Sequence, residues 1–224
     1  MAADAFADWI VRGRTHQREG RPADAIPCFR RAAREDPASP LPHFHLGEVL
    51  WQLGLPGDAL QAWRTAAGLD QTFLPPRLAL AEALMTLGDL AGASAAAQEA
   101  WRLAPQDARA RATSVAAGAA AGDRGAAAEA AEVFAAEPAL AHVPSLASAL
   151  AAIPPGDERA ALLRAMEPHA ATLPAVLLAA LAESGAAIPD AVAARRWTRA
   201  DVEPLRRLAV IVQRSDAHVA DQRA

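Results

Sequence analysis

Apolar and small residues recur along the chain at the spacing of amphipathic helices, in segments separated by glycine-centred turns such as Gly54-Leu55-Pro56-Gly57. No useful length of the sequence alternates between apolar and polar residues with period two, so the pattern does not predict strands. The pattern predicts an all-α chain whose first eight helices run at about 5–18, 22–35, 40–53, 56–69, 74–87, 90–103, 107–121 and 124–136.

The same residue types return every 34 residues when Phe6 is taken as position 1. Small residues at positions 8 and 20 allow the two helices of a unit to touch, and a large residue at position 24 fills the gap between units. Glycine at position 15 suits the left-handed residue that follows a helix. The residues at positions 8, 15, 20 and 24 are Gly13, Gly20, Ala25 and Phe29 in the first unit, and Gly47, Gly54, Ala59 and Trp63 in the second.

The first unit resembles the tetratricopeptide repeat family, although Arg12 replaces the usual leucine and His16 the usual tyrosine. The matching residues are Trp9-x2-Arg12-Gly13-x2-His16, then Ala25-x3-Phe29, Ala32 and Pro37. The resemblance covers about residues 6–139, in units at 6–39, 40–73, 74–107 and, more weakly, 108–139. It implies a right-handed α-solenoid of helix hairpins that binds other proteins.

After Pro138 the 34-residue phase drifts. We expect residues 143–153 and 158–167 to form a helix pair that is a shortened, degenerate fifth unit. The apolar residues at 173–183 predict a further helix. A short helix at 189–197 and a last helix at 199–213 complete the expected set. We expect residues 140–214 to cap the open end of the solenoid, because the last unit otherwise exposes an apolar face. Residues 215–224 are expected to form a flexible tail.

In the tetratricopeptide repeat family the first helix of each unit lines a concave groove. Carried over by position, the resemblance predicts a partner-binding groove in which an apolar strip is flanked by two glutamates, with two arginines at one end. Such a groove suits a peptide or an amphipathic helix with apolar anchors. The alternative is that the chain's own C-terminal helices cover these side chains. The predicted groove residues are Arg14, Arg18, Phe44, Glu48, Trp51, Gln52, Leu78, Glu82 and Met85.

Catalytic and metal-binding patterns are almost absent from the sequence. His43 and His45 lie two apart on a predicted helix, so their side chains point about 200° apart and do not share a metal. Cys28 is expected to be a buried structural residue. We therefore expect no catalytic residues, no metal site and no cofactor.

Composition narrows the choice of partners. The chain has 224 residues and a formal net charge of −4, so no overall positive field recruits nucleic acid. Its 63 alanines and the absence of lysine, asparagine and tyrosine suggest a bacterial coding bias. Without lysine and asparagine, the clamp by which related co-chaperones hold a terminal carboxylate is not expected. The longest apolar stretch, Leu173 to Ala182, is too short to span a bilayer, and a cytoplasmic location is expected.

The segment 195–214 carries six arginines and two acidic residues, a local net charge of +4. It is either an anion, membrane or nucleic-acid contact or an ordinary solvated helix face. The sequence as a whole predicts a non-catalytic protein-interaction scaffold. Two alternatives stay open. The first is a recognition module of a glycosyltransferase, sulfotransferase or methyltransferase system. The second is a self-assembling homo-oligomer.

Overall fold

The computed structural model describes residues 2–143, 146–147, 149–150, 153, 156–166, 168, 173–174, 177–178 and 180–181. These residues form helices and turns without a strand. The eight predicted repeat helices are all confirmed, with ends within a few residues of expectation. The helices are α1 Ala2–Arg18, α2 Pro22–Glu35, α3 Leu41–Gln52, α4 Pro56–Leu69, α5 Leu74–Leu87, α6 Leu90–Leu103, α7 Ala108–Ala120, α8 Arg124–Ala136 and α9 Asp157–Met166.

Each helix from α1 to α8 packs against the next helix along the chain, which is the arrangement of an α-solenoid. The first helices of neighbouring units also contact each other, α1 with α3 and α5 with α7. A short 3-10 helix, Pro138–His142, follows α8 and was not expected from the sequence. The helix α9 packs on α8 and realises the second expected helix after the repeats. The expected helices at 189–197 and 199–213 lie outside the described residues.

Each hairpin turn is built by the glycine at position 15. Gly54 has a φ of +72°, a left-handed conformation that an L side chain rarely adopts. Its N–H donates to Trp51 O at 3.0 Å, and the N–H of Leu55 donates to Leu50 O at 3.0 Å. This pair of bonds satisfies the last carbonyls of α3. The equivalent glycines have φ values of +71° (Gly20), +83° (Gly88) and +94° (Gly122), which confirms the prediction for this position.

The prediction that small and large residues interlock is confirmed in the first two units. A Cβ atom on Gly13 would lie 2.5 Å from the ring of Phe29, and one on Gly47 would fall on the ring of Trp63. The alanines at position 20 are fully buried in the first three units. Units three and four have alanine at position 24, and the fully buried Phe134 provides the large side chain in the fourth.

Helix α7 is buried at every residue from Ala112 to Ala120, whereas Arg109 and Arg111 in its first turn are exposed. Ala112, Ala116 and Ala119, which occupy the groove-facing positions of the fourth unit, are at most 1% exposed. They share one hydrophobic core with residues beyond the repeats, including Leu146, Leu150 and leucines between 173 and 181. The described residues after 143 therefore cover the concave face at the fourth unit.

Candidate binding groove

An open groove of about 680 Å³ remains on the concave face of the second and third units. Helices α3 and α5 supply its walls, α7 borders one end, and Val143 contributes from beyond the repeats. The exposed polar residues at its rim include Gln52 and Thr86. Among the described residues, the lining consists of Phe44, Glu48, Trp51, Gln52, Trp63, Leu74, Pro75, Leu78, Ala79, Glu82, Ala83, Thr86, Asp107, Arg109 and Val143.

Aromatic rings form the floor of this groove at the α3 side. The ring centroids of Trp51 and Trp63 lie 6.0 Å apart, and Phe44 meets Phe73 edge to face at 5.6 Å. The indole N–H of Trp63 donates to the backbone oxygen of Phe44 at 3.2 Å. Trp63 is nearly buried, while Trp51 and Phe44 keep part of their surface open. The floor is thus a supported aromatic surface, which is the usual form of an anchor site.

The charged residues of the groove are mostly acidic. Among the described lining residues there are three carboxylates, Glu48, Glu82 and Asp107, and one guanidinium, that of Arg109, which gives this part of the lining a net charge of −2. Arg109 bonds one Glu82 oxygen through Nη2 at 2.7 Å and Nε at 2.9 Å, linking α5 to α7. Glu48 bonds Nδ1 of His45 at 2.8 Å. Asp107 accepts the N–H of Ala110 at 2.8 Å and caps α7.

Six of the nine residues predicted for the groove lie together in it: Phe44, Glu48, Trp51, Gln52, Leu78 and Glu82. The prediction that Met85 faces the groove is wrong, because this side chain is 6% exposed and packs into the core with neighbouring alanines. Arg14 and Arg18 lie on the exposed surface of α1 and do not line this groove. Whether any of these side chains binds a partner stays a prediction.

Nine of the fifteen described lining residues are absent from the predicted set, and three of them, Trp63, Asp107 and Val143, lie outside the first helices of the units. Trp63 belongs to a second helix, and the one signal for it is the glycine opposite, which leaves the indole room to reach the groove. Asp107 precedes α7 as a helix cap rather than occupying a helix position. Val143 comes from outside the repeats, where the 34-residue phase gives no guidance.

A second groove, of about 650 Å³, opens on the first hairpin and has the opposite electrostatic character. Trp9 and three arginines, Arg30, Arg31 and Arg34, contribute to its lining. Arg31 pairs with Glu35 at 3.0 Å, and Nδ1 of His16 is buried without a hydrogen-bond partner. The two grooves therefore favour occupants of different charge.

The residues considered for catalysis or metal binding, Cys28, His43 and His45, do not line the groove. Burial raises the pKa of the Cys28 thiol, which keeps it protonated. Burial lowers the pKa of His43, while His45 stacks on Phe29 with ring centroids 5.3 Å apart. Within the described part of the chain, no three histidine, cysteine or acidic side chains are grouped as metal ligands. No helix among the described residues is long and apolar enough to cross a membrane. The cytoplasmic location stays a prediction.

A known protein family has a model that matches part of the chain. The family model described as Tetratricopeptide repeat matches residues 10–72. Residues 10–72 are thus similar to tetratricopeptide repeats. The matched residues span the first two units, which hold both glycine–aromatic contacts. No curated protein matches the sequence significantly.

Solved structures share the helical solenoid fold over a longer stretch of the chain. A crystal structure of MamA protein is 19% identical, with a TM-score of 0.58, and covers 84% of this chain and 100% of that one. A second MamA structure is 20% identical, with a TM-score of 0.56, over 77% of this chain and 96% of that one. An O-GlcNAc transferase mutant from Thermobaculum terrenum is 18% identical, with a TM-score of 0.50, over 60% of this chain but 27% of that one. At these identities the likeness concerns the fold alone.

Proposed function

We propose that this protein is a non-catalytic scaffold that binds a peptide or amphipathic helix of another protein in the groove between α3, α5 and α7. The observation that carries the proposal is the aromatic floor around Trp51. Its rings are supported from below by Trp63 and Phe73 and stay open toward the groove. Preorganised aromatic anchors of this kind provide most of the binding free energy at protein interfaces.

The charge of the lining indicates which peptides fit. A lining with a net charge of −2 and an apolar floor favours a segment that combines basic side chains with apolar anchors. An acidic segment would meet Glu48 and Asp107 and would be repelled. We therefore expect ligands with arginine or lysine next to leucine, phenylalanine or valine.

A catalytic role for the groove is disfavoured by how its polar groups are already used. Glu82 is bonded by Arg109, Glu48 by His45 and Asp107 by the backbone of α7. These bonds stabilise helices and their junctions. They leave no pairing of a nucleophile with a base among the lining residues.

A peptide library displayed against the intact protein tests the proposal with a matched pair of variants. Gln52→Arg places a positive charge at the groove rim, and Gln61→Arg makes the same substitution at an exposed site on α4 outside the groove. We expect library selection on the native protein to enrich basic-apolar peptides whose affinity falls about tenfold, or 1.4 kcal/mol, in Gln52→Arg. Gln61→Arg should bind them as the native protein does. Equal affinity for both variants would place binding elsewhere.

Trp51→Ala probes the floor of the groove directly. Removing this anchor should weaken peptide binding by more than about 1 kcal/mol while the helical circular dichroism stays unchanged. If affinity is unchanged and thermal stability falls instead, Trp51 serves the core and the anchor role is refuted.

A second candidate is a recognition module that serves an enzyme. The observation that favours it is the likeness to part of an O-GlcNAc transferase, of which 27% is covered. In that case the selected peptides should match segments of the enzyme or of its protein substrate, and the chain should co-purify with the enzyme.

A further inference from the structure

We propose that the arginine-rich segment 195–214 of this same chain docks in the α3–α5–α7 groove and competes there with an external partner. The inference rests on the proposed function in that it uses the same groove. It assigns that groove an internal ligand and thereby a means of regulation. Four observations lead to this segment.

The first observation is complementary charge. The groove lining has a net charge of −2, and the segment has a net charge of +4 from six arginines and two acidic residues. Glu48 and Asp107 have no guanidinium partner among the described residues. Basic side chains at the rim would complement both carboxylates.

The second observation is the apolar pattern of the segment. From residue 199 to residue 213 the apolar side chains recur at helical spacing, which predicts an amphipathic helix. One face of that helix would meet the aromatic floor while arginines reach the rim. The apolar positions are Val202, Leu205, Leu208, Ala209 and Val212.

The third observation is that the size and the reach of the segment fit. A helix of 15 residues is about 22 Å long. Three neighbouring groove helices at roughly 8–10 Å spacing span about 20 Å. Leu181 is buried in the core, and the thirteen residues 182–194 could extend over roughly 40 Å before the segment begins.

The fourth observation is continuity with cover that already exists. Described residues beyond 143 enclose the concave face at the fourth unit, and Val143 forms part of the groove edge. Docking of the segment would extend this cover by two further units. The occupant is thus the continuation of a chain that already follows the concave face.

Charge reversal in the intact protein tests the proposal. Arg206→Glu with Arg207→Glu should release the segment from the groove. Arg64→Glu with Arg124→Glu makes the same change of charge at exposed sites on α4 and α8, outside the groove. The probe is a fluorescent synthetic peptide of residues 198–214, measured by anisotropy. A scrambled peptide of the same composition is the control for charge alone.

The released variant should bind the peptide about tenfold more tightly than the native protein, as expected when the internal segment occupies the groove about 90% of the time. The Arg64/Arg124 variant should bind it as the native protein does, and Gln52→Arg added to the released variant should weaken binding about tenfold. Equal affinity of the native and released proteins for the peptide overturns the proposal. Equal binding of the scrambled peptide overturns it as well.

Three further results distinguish this inference from self-association and from the proposed scaffold function. A concentration-dependent dimer that disappears in the released variant would overturn intramolecular docking in favour of a second copy of the chain. If library peptides bind the native and released proteins equally well, the internal ligand is refuted and the scaffold function stands. If the 198–214 peptide binds but no library peptide does, docking stands and the external partner is refuted.

Discussion

At the scale of single residues, the fold depends on the size of the side chains at two contact positions. In the second unit the large Trp63 packs against Gly47, which has no side chain. In the third unit the two equivalent positions hold residues of equal size, Ala81 and Ala97, and both are buried. The sequence predicts these contacts because both partners recur at a fixed period. It does not predict that Met85 turns inward, because that depends on how bulky the residues of neighbouring units are.

Two glycine substitutions on adjacent helices should have opposite effects on stability. Gly47→Ala should lower the free energy of unfolding by about 1–3 kcal/mol, because its Cβ would overlap the Trp63 ring. Gly57→Ala lies on α4 with nothing within 4 Å of the new Cβ, and should raise that free energy by less than about 1 kcal/mol. Urea denaturation measures both. A Gly47→Ala protein as stable as the native one would contradict the close contact.

The His43 side chain should make stability depend on pH. Burial lowers its pKa in the folded state below the ordinary value of 6.5, so the unfolded chain binds the proton more readily. The stability from neutral His43 is fully present above about pH 6.5 and is lost as the pH falls through the folded-state pKa. The loss of unfolding free energy between about pH 7.5 and about pH 5.5 should therefore be smaller in His43→Gln. An identical loss in both proteins would show that His43 does not contribute.

At the scale of helices, the sequence predicts where each helix begins and ends better than it predicts which residues pack around it. Glycine turns and proline or aspartate at the starts identify all eight repeat helices within a few residues. Helix α7 has an alanine-rich sequence with little polar surface, and this is consistent with enclosure. What encloses it comes from beyond residue 143, where no periodic signal exists, so the 3-10 helix and the role of Val143 could not be predicted.

Truncation after Pro168 should damage the fourth unit. It removes Leu173, Leu177, Leu178 and Leu181, all at most 1% exposed, from the core around α7. We expect aggregation or a lower thermal midpoint, measured by size-exclusion chromatography and thermal unfolding. Truncation after Glu183 keeps these leucines and should leave the midpoint much closer to that of the full chain. If the shorter protein stays monomeric with an unchanged midpoint, the residues after Pro168 form an independent module.

At the scale of the whole molecule, the solenoid and its groove could be predicted from sequence, while the limits of the groove could not. The repeat fixes which helices line the concave face, and so six of the nine predicted residues meet there. The depth and length of the open part depend on non-repeating chain, which closes the groove at the fourth unit. We propose that residues 1–139 form the repeats and that residues 140–194 cap them, while residues 195–214, which the sequence assigned to the cap, dock in the groove.

The enclosure of α7 also makes the molecule unevenly rigid. Helices α1 to α4 pack in two small hydrophobic clusters, so they can open locally from the free end at lower cost, whereas α7 shares one large core with α5, α6 and α8 and opens only with it. The groove extends across both parts of the molecule, because one end lies on α3 and the other is linked to α7 through Arg109. An occupant would therefore contact both the helices that open locally and the rigid core. Part of its binding free energy would offset the conformational entropy that the first two hairpins lose when local opening is suppressed.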